Sequence, residues 1–330
     1  MQRAAGADMH PNEARTQRNV GLERAMAWIP AGTFSMGSND HYPEEAPAHR
    51  VSVDGFWMDR CPVTNAEFRR FVESAGYVTF AERPPDPHAY PGALPELLVP
   101  GSAVFFDTTR RVDLGDCTQW WQYVPGAAWN HPEGPESTLE GRDEHPVVHV
   151  AYEDAEAYAS WAGKSLPTEA EWERAARGGL EGAVYAWGDA FAPDGRIMAN
   201  TWDGEFPWQN RRVAGPPRTS PVGLFPPNGF GLVDMIGNVW EWTCDWFAPK
   251  HRAPTRSCCT RTNPRGATRS ESIDPRSGML PRKALKGGSF LCAPNYCTRY
   301  RPAARIPEPI DTTTCHVGFR CVSRLSKAPA

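Results

Sequence analysis

Cys292 and Cys297 bracket a Pro294-Asn295 turn signal in the run Gly287-Gly288-Ser289-Phe290-Leu291-Cys292-Ala293-Pro294-Asn295-Tyr296-Cys297-Thr298-Arg299-Tyr300-Arg301. A regular helix would separate two residues at this spacing, because same-face neighbours lie three or four positions apart; a bend turns both sulfurs toward one point. Gly287 and Gly288 permit close backbone approach, and Tyr296 and Tyr300 bring hydroxyl groups beside the thiols. Three chemistries suit such a pair. A structural disulfide belongs to oxidising compartments. Zinc asks for four N or S ligands, and no CxxC pair or flanking histidine completes such a set nearby. A redox or copper(I) pair is the third, since soft thiolates select Cu(I). Spacing alone leaves all three open.

A second constellation is Asp234-Met235-Ile236-Gly237-Asn238-Val239-Trp240-Glu241, two carboxylates around a glycine-containing turn with carbonyls between them. Hard cations such as calcium take a ring of oxygens of this kind, and a plain surface turn is the other reading. His88, His131 and His145 read as surface or hydrogen-bonded residues. No GxGxxG or GxxxxGK[ST] run sits between a strand and a helix, so nucleotide cofactors have no support.

The elements that must hold these groups are short. Met26–Gly37 reads as strand, turn, strand, and Val51–Met58 alternates as one half-buried strand. Thr64 opens a helix through a capping box with Glu67, carries an apolar stripe of Phe68, Phe71, Val72 and Ala75, and ends at Gly76. Residues 81–145 are rich in proline and glycine, with Trp120, Trp121 and Trp129 pointing to packed loops. A helix over Tyr152–Ala162 precedes a second one capped by Thr168 with Glu171, whose Trp172, Ala175 and Ala176 face inward. Its Leu166-Pro167-Thr168-Glu169-Ala170-Glu171-Trp172-Glu173 run reads as scaffold. Short helices against several short strands give a mixed α+β fold.

Of the 330 residues, 40% are hydrophobic and 22% charged, with 29 Gly, 33 Pro and 13 Trp. These values describe a loop-rich globular domain stitched by aromatic rings. The net charge of −4, from 35 basic and 39 acidic side chains, argues against a general nucleic-acid or membrane surface. Residues 1–22 are expected to be a disordered leader, 23–326 one domain and 327–330 a tail. The N-terminal stretch lacks the apolar run of a secretory signal, so the expected address is cytoplasmic. Nine cysteines at irregular spacing do not form a disulfide framework.

The Gly-Gly-Ser…Cys-x4-Cys-x-Arg-Tyr-Arg run, continued by Ala303-Ala304-Arg305 and Gly318-Phe319-Arg320-Cys321, resembles the formylglycine-generating enzymes, or sulfatase-modifying factors, of bacterial type. Asn238-Val239-Trp240-Glu241-Trp242 and the Leu166–Glu173 run are similar to that family in the same order, so the likeness spans about Met26 to Val322. The resemblance implies a single loop-rich α+β domain of the C-type-lectin-like formylglycine-generating enzyme fold. It implies an oxidoreductase in which Cys292 and Cys297 hold Cu(I). The reaction would convert the cysteine of a Cys-x-Pro-x-Arg segment in an unfolded or nascent sulfatase polypeptide to Cα-formylglycine, consuming molecular oxygen and a thiol reductant. Ser289 would line the pocket, Trp240 would wall it, and Tyr296 would hydrogen-bond near the metal; Arg301 and Arg305 would meet substrate carbonyls, with buried structural pairing the other reading.

For calcium, the resemblance implies the side chains of Asp234 and Glu241 with the carbonyls of Gly237 and Val239. A second calcium site would use Asn200 and the carbonyl of Thr201, with Ala214 standing where a carboxylate is expected. Ala159 and Ala176 occupy positions that are cysteine in secreted relatives, leaving Cys321 without that partner. His316 stands in place of a family asparagine, and Ala293-Pro294-Asn295 in place of a frequent His-Arg-Ser. The alternative function is a non-catalytic peptide- or ligand-binding module on the same scaffold, against which the retained cysteine pair argues.

Overall fold

The structure is a computed structural model that describes residues 26–211, 218–251, 260–275 and 279–324. The expected leader therefore lies outside the described residues, as do Ala214 and the tail. Within them the chain forms three α-helices and twelve strands gathered into small sheets.

Strands β1 (Met26–Ile29) and β4 (Phe56–Asp59) pair antiparallel, and β12 (Val322–Ser323) joins the other edge of β4, so both ends of the described chain meet in one sheet. Strands β2 (Gly32–Met36) and β3 (His49–Val53) form a second antiparallel pair, to which β8 (Arg261–Thr262) adds in parallel. The single strand expected over Val51–Met58 is thus two strands in two sheets. The chain turns at Asp54-Gly55, where a Cβ on Gly55 would stand 2.4 Å from the Trp28 ring. Strands β5 (Gly101–Phe105) and β6 (Trp121–Pro125) make a hairpin inside the loop-rich region, with Trp120 and Trp129 buried around it.

Helix α1 (Asn65–Ala75) has the expected capping box, with Thr64 and Glu67 bonded both ways and Gly76 in the left-handed conformation behind it. Phe68 and Phe71 are buried, while Ala75 is exposed. Helices α2 (Tyr152–Trp161) and α3 (Glu169–Ala176) follow, and Thr168 and Glu171 cap α3 in the same manner. No helix among the described residues is long and apolar enough to cross a membrane.

The sheet that positions the candidate site has the order β10 (Arg305–Pro309), β9 (Arg282–Lys286), β7 (Trp240–Trp246), β11 (Val317–Gly318). The cysteine run is the loop from β9 to β10, which pair antiparallel with Arg305 opposite Lys286. Gly287 and Gly288 start that loop at φ +96° and +75°. A Cβ on Gly287 would meet Met235 O at 2.9 Å, and one on Gly288 would meet Arg299 O at 2.9 Å. Only glycine lets the loop fold back this tightly onto α3 and its own far end.

Candidate active site

The β9–β10 loop turns back on itself just after Cys292. Cys297 N–H donates to Ala293 O (2.8 Å), and Tyr296 N–H to the same oxygen (3.1 Å), which closes the bend signalled by Pro294-Asn295. The two sulfurs come to 3.1 Å. That exceeds the roughly 2.05 Å of a disulfide, and every cysteine among the described residues is free. Cys292 is buried and Cys297 half-buried, so one sulfur faces the core and the other the loop's outer side.

Their protonation is split accordingly. Burial, and the hydrogen bond to Cys297, push the Cys292 thiol up. The hydrogen bond from Cys292 pulls Cys297 down against its own burial, helped by the backbone N–H and the guanidinium of Arg299. The two shifts run in opposite senses, so Cys297 is the sulfur more disposed toward the thiolate, the form that acts as nucleophile and metal ligand. Two thiolate-forming sulfurs converging on one point suit a soft ion such as Cu(I). The pair is a two-sulfur set: no group of three or more His, Cys, Asp or Glu side chains placed to hold a metal ion occurs among the described residues.

Ser289 is buried under the pair. Its N–H donates to Cys292 Sγ (3.4 Å), its carbonyl accepts from Cys292 N–H (3.0 Å), and its Oγ accepts from Leu291 N–H (3.3 Å). The serine therefore shapes the turn that presents Cys292. Trp240 at the start of β7 is buried in the same core cluster as Cys292. Tyr296 enters through its ring, stacked on Phe206 at 4.4 Å and 6° and edge-on to Trp120 at 5.7 Å. Its hydroxyl has no hydrogen bond to a described residue, and its own burial, with the charges of Cys297 and Cys292, pushes it up. Tyr300 likewise packs by its ring, on Phe191 at 5.0 Å.

Beside the pair, Phe105, Trp120, Trp202, Phe206, Phe290, Leu291 and Ala293 form a second apolar cluster. Tyr296, 40% exposed, continues it to the surface as an aromatic shelf next to Cys297. His316 borders this region, edge-on to Trp121 at 4.9 Å with Nδ1 buried and unpaired among the described residues.

Arg301 and Arg305 do not face a substrate. Arg301 donates to both oxygens of Glu45 (2.5 and 2.7 Å) and to Thr298 O (2.9 Å). Arg305 makes the same two-pronged contact with Glu169 (2.6 and 2.9 Å) and also reaches Glu44 O and Ala248 O. Both guanidiniums are buried and engaged, so the expected contact with substrate carbonyls is replaced by structural pairing. The arginine beside the sulfurs is Arg299, which carried no expected role although it sits in the same motif. Tyr42 and Glu44, which hold it, gave no signal because they lie some 255 residues earlier.

At the expected calcium turn, Asp234 Oδ2 accepts from Gly223 N–H (2.6 Å), while Oδ1 is buried without a partner among the described residues. An orphaned carboxylate oxygen of this kind fits a missing cation. Glu241 accepts from Arg320 Nε and Nη2 (2.8 to 3.0 Å) and from Trp172 Nε1 (2.7 Å), three donors that leave part of its acceptor capacity open. At the second calcium turn, the Asn200 amide donates to Arg218 O (3.2 Å) and Asn238 Oδ1 (3.4 Å), and Thr201 is buried.

The sulfatase-modifying factor enzyme 1-like domain matches residues 11–325. The formylglycine-generating enzyme of Mycobacterium tuberculosis is 56% identical over 297 residues, covering 89% of this chain and 96% of that protein. The formylglycine-generating enzyme of Bos taurus is 45% identical over 301 residues, covering 90% and 74%. The Mus musculus protein named inactive C-alpha-formylglycine-generating enzyme 2 is 38% identical over 285 residues, covering 84% and 88%. In fold, the structure of PvdO from Pseudomonas aeruginosa superposes with a TM-score of 0.57 at 23% identity, covering 90% of this chain and 93% of that one. The α+β, loop-rich domain is accordingly of the C-type-lectin-like formylglycine-generating enzyme fold. The chain belongs to the formylglycine-generating enzyme family, of bacterial type.

Proposed function

We propose that this protein is an O2-dependent oxidoreductase that converts the cysteine of a Cys-x-Pro-x-Arg segment in an unfolded or nascent sulfatase to Cα-formylglycine. The observation that carries this reading is the sulfur pair at 3.1 Å, one sulfur sealed in the core and one half-buried at the margin of the same core. The names of the M. tuberculosis and B. taurus relatives support the product. Cys292 and Cys297 would hold Cu(I), which when bound supplies the one-electron chemistry with dioxygen that no ordinary side chain offers.

The chain's own groups do the remaining work. Cys297, the less buried of the two sulfurs, would be the ligand beside which a substrate thiol is received. The exposed ring of Tyr296, backed by the buried Phe206 and Trp120, offers an apolar surface for the proline two residues on. Trp240 and the buried turn at Ser289 keep water from the inner sulfur. The balance of the reaction requires the substrate C–S bond to break, with sulfur leaving as sulfide. One oxygen atom enters the aldehyde and the other leaves as water, the extra two electrons and two protons coming from two thiols that end as a disulfide.

Calcium at Asp234 is proposed as a structural ion on the ground of its unpaired Oδ1. A reducing, cytoplasmic setting is supported by Cys321, which packs in a core where Ala159 and Ala176 stand.

The test is incubation of the purified protein, with and without Cu(I), with a Cys-x-Pro-x-Arg peptide under air and a thiol reductant. Mass spectrometry is expected to show copper-dependent aldehyde formation that Cys292→Ser and Cys297→Ser each abolish without loss of fold. An unchanged peptide with intact fold would favour the binding-module alternative. Normal turnover in either serine variant would remove the metal pair.

A further inference from the structure

The cysteine loop is tied at its tip by Phe206, whose backbone pairs with Asn295 (3.1 and 3.2 Å) and whose ring stacks on Tyr296, which leaves the residues after Cys297 to be held from elsewhere. Pro294, Asn295 and Tyr296 are exposed, and Cys297, Thr298 and Arg299 only half-buried. Fixing a loop of this kind costs about 1–2 kcal/mol per residue in backbone entropy, so a defined position for Cys297 needs contacts from elsewhere. They come from the segment between β2 and β3. There the chain makes a 3-10 turn, Pro43–Glu45, after Tyr42. Its base is clamped by Arg301 on the Glu45 carboxylate and by Arg305 on the Glu44 carbonyl.

That anchoring leaves two side chains of the turn to reach the residues that follow Cys297. Tyr42 Oη accepts the Thr298 N–H (3.1 Å) and lies 3.2 Å from Thr298 Oγ1. The Arg299 guanidinium stands 3.6 Å over the Tyr42 ring and donates to Glu44 Oε1 from Nη2 (2.6 Å) and Nε (3.2 Å). Thr298 and Arg299 are the two residues that directly follow Cys297, so fixing them fixes the backbone that carries its sulfur. The contacts thus run from the 3-10 turn to the two residues that follow Cys297.

We propose that Tyr42 and Glu44 are positioning residues: by fixing Thr298 and Arg299 they hold the Cys297 sulfur within reach of Cys292. This role rests on the pair being the working centre described above. Tyr42 and Glu44 touch neither sulfur. Tyr42→Phe removes only a hydroxyl, because Arg301 and Arg305 keep the turn in place without it.

The experiment compares wild type, Tyr42→Phe, Glu44→Ala and Glu44→Gln in three measurements on the full chain. These are closure of the Cys292–Cys297 disulfide when diamide accepts the two protons and two electrons, retention of Cu(I) against a chelator, and the thermal midpoint. Groups that orient metal ligands from behind contribute roughly 10–100-fold to affinity or activity. The expected result is a drop of about tenfold in closure rate and Cu(I) retention for Tyr42→Phe and Glu44→Ala, at the lower end of that range. Glu44→Gln, which keeps an acceptor for Arg299, is expected to restore much of it.

Closure and retention at wild-type levels in Tyr42→Phe, with an unchanged midpoint, would overturn the proposal. Should Glu44→Ala lower the midpoint, Tyr42→Phe decides. Wild-type protein that closes the disulfide yet leaves the Cys-x-Pro-x-Arg peptide untouched would defeat the proposed function, while the comparison of closure rates still judges the positioning role.

Discussion

Arg301 and Glu45 exchange hydrogen bonds of 2.5 and 2.7 Å in a setting that leaves neither residue more than 2% exposed, and Arg305 with Glu169 repeats the arrangement. Removing one member of such a pair leaves the other charge buried and uncompensated, a cost of about 3–5 kcal/mol. Arg301→Ala and Arg305→Ala are therefore expected to lower unfolding free energy by about that amount in denaturant titrations. A substrate-contact role would instead leave stability near wild type and raise KM for the peptide. The cysteine pair was legible in the sequence because both sulfurs and their turn signal lie in one short window. For the arginines, buried pairing was one open reading but the partners were not legible, since an arginine motif does not say which carboxylate it meets. Glu45 and Glu169 lie 256 and 136 residues from their partners.

Helix α3 shows the same principle one level up. Its acids each meet a cation from a different element: Glu169 meets Arg305 of β10, Glu171 meets Arg324, and Glu173 meets Arg177 and Lys286 of β9. Trp172 donates to Glu241 of β7. The Leu-Pro-Thr-Glu-Ala-Glu-Trp-Glu run is thus scaffold, as its pattern suggested, and it ties the sheet beneath the cysteine loop. Burial alone would raise the Glu169 and Glu173 carboxyls. Arg305 and Lys286 for the first, and Lys286 and Arg177 for the second, overcome it and bring both to about 2.

A carboxylate depressed on folding stabilises the native state above its unfolded value, and that contribution fades as pH falls toward the folded value. Thermal midpoints measured against pH are therefore expected to drop steeply between about 4.5 and 2. Asp154, raised by burial to about 6, works in the opposite direction at higher pH. A midpoint that stays level across the acid window would show that these pairs do not carry the helix. Local signals served well at this scale, since the capping boxes at Thr64 and Thr168 need only residues three apart. The break at Gly55 escaped the alternation because it depends on Trp28, which crowds it from a neighbouring strand.

At the scale of the whole molecule, the site is assembled from segments remote in sequence. β12 and β1 share β4, and the turn at Tyr42 meets the loop at Thr298. Such contacts leave no periodic trace, which is why the domain was legible as a class while its division into small sheets was not. They also make a demand on how the molecule opens. Cys292 and Cys321 are 2% and 0% exposed in one continuous core, whereas Cys117 is exposed and Cys297 half-buried. If that core opens only as a unit, the inner thiols react when the whole chain unfolds, and their rates rise with denaturant by the slope of global unfolding. Maleimide labelling of the reduced, metal-free protein, mapped by peptide, is expected to modify Cys117 and Cys297 quickly. Cys292 and Cys321 should lag and keep the full denaturant slope. Fast labelling of Cys292 with a shallow slope would mean that the β9–β10 loop detaches by itself, and that the sulfur pair is held by the loop alone and not by the joined ends of the chain.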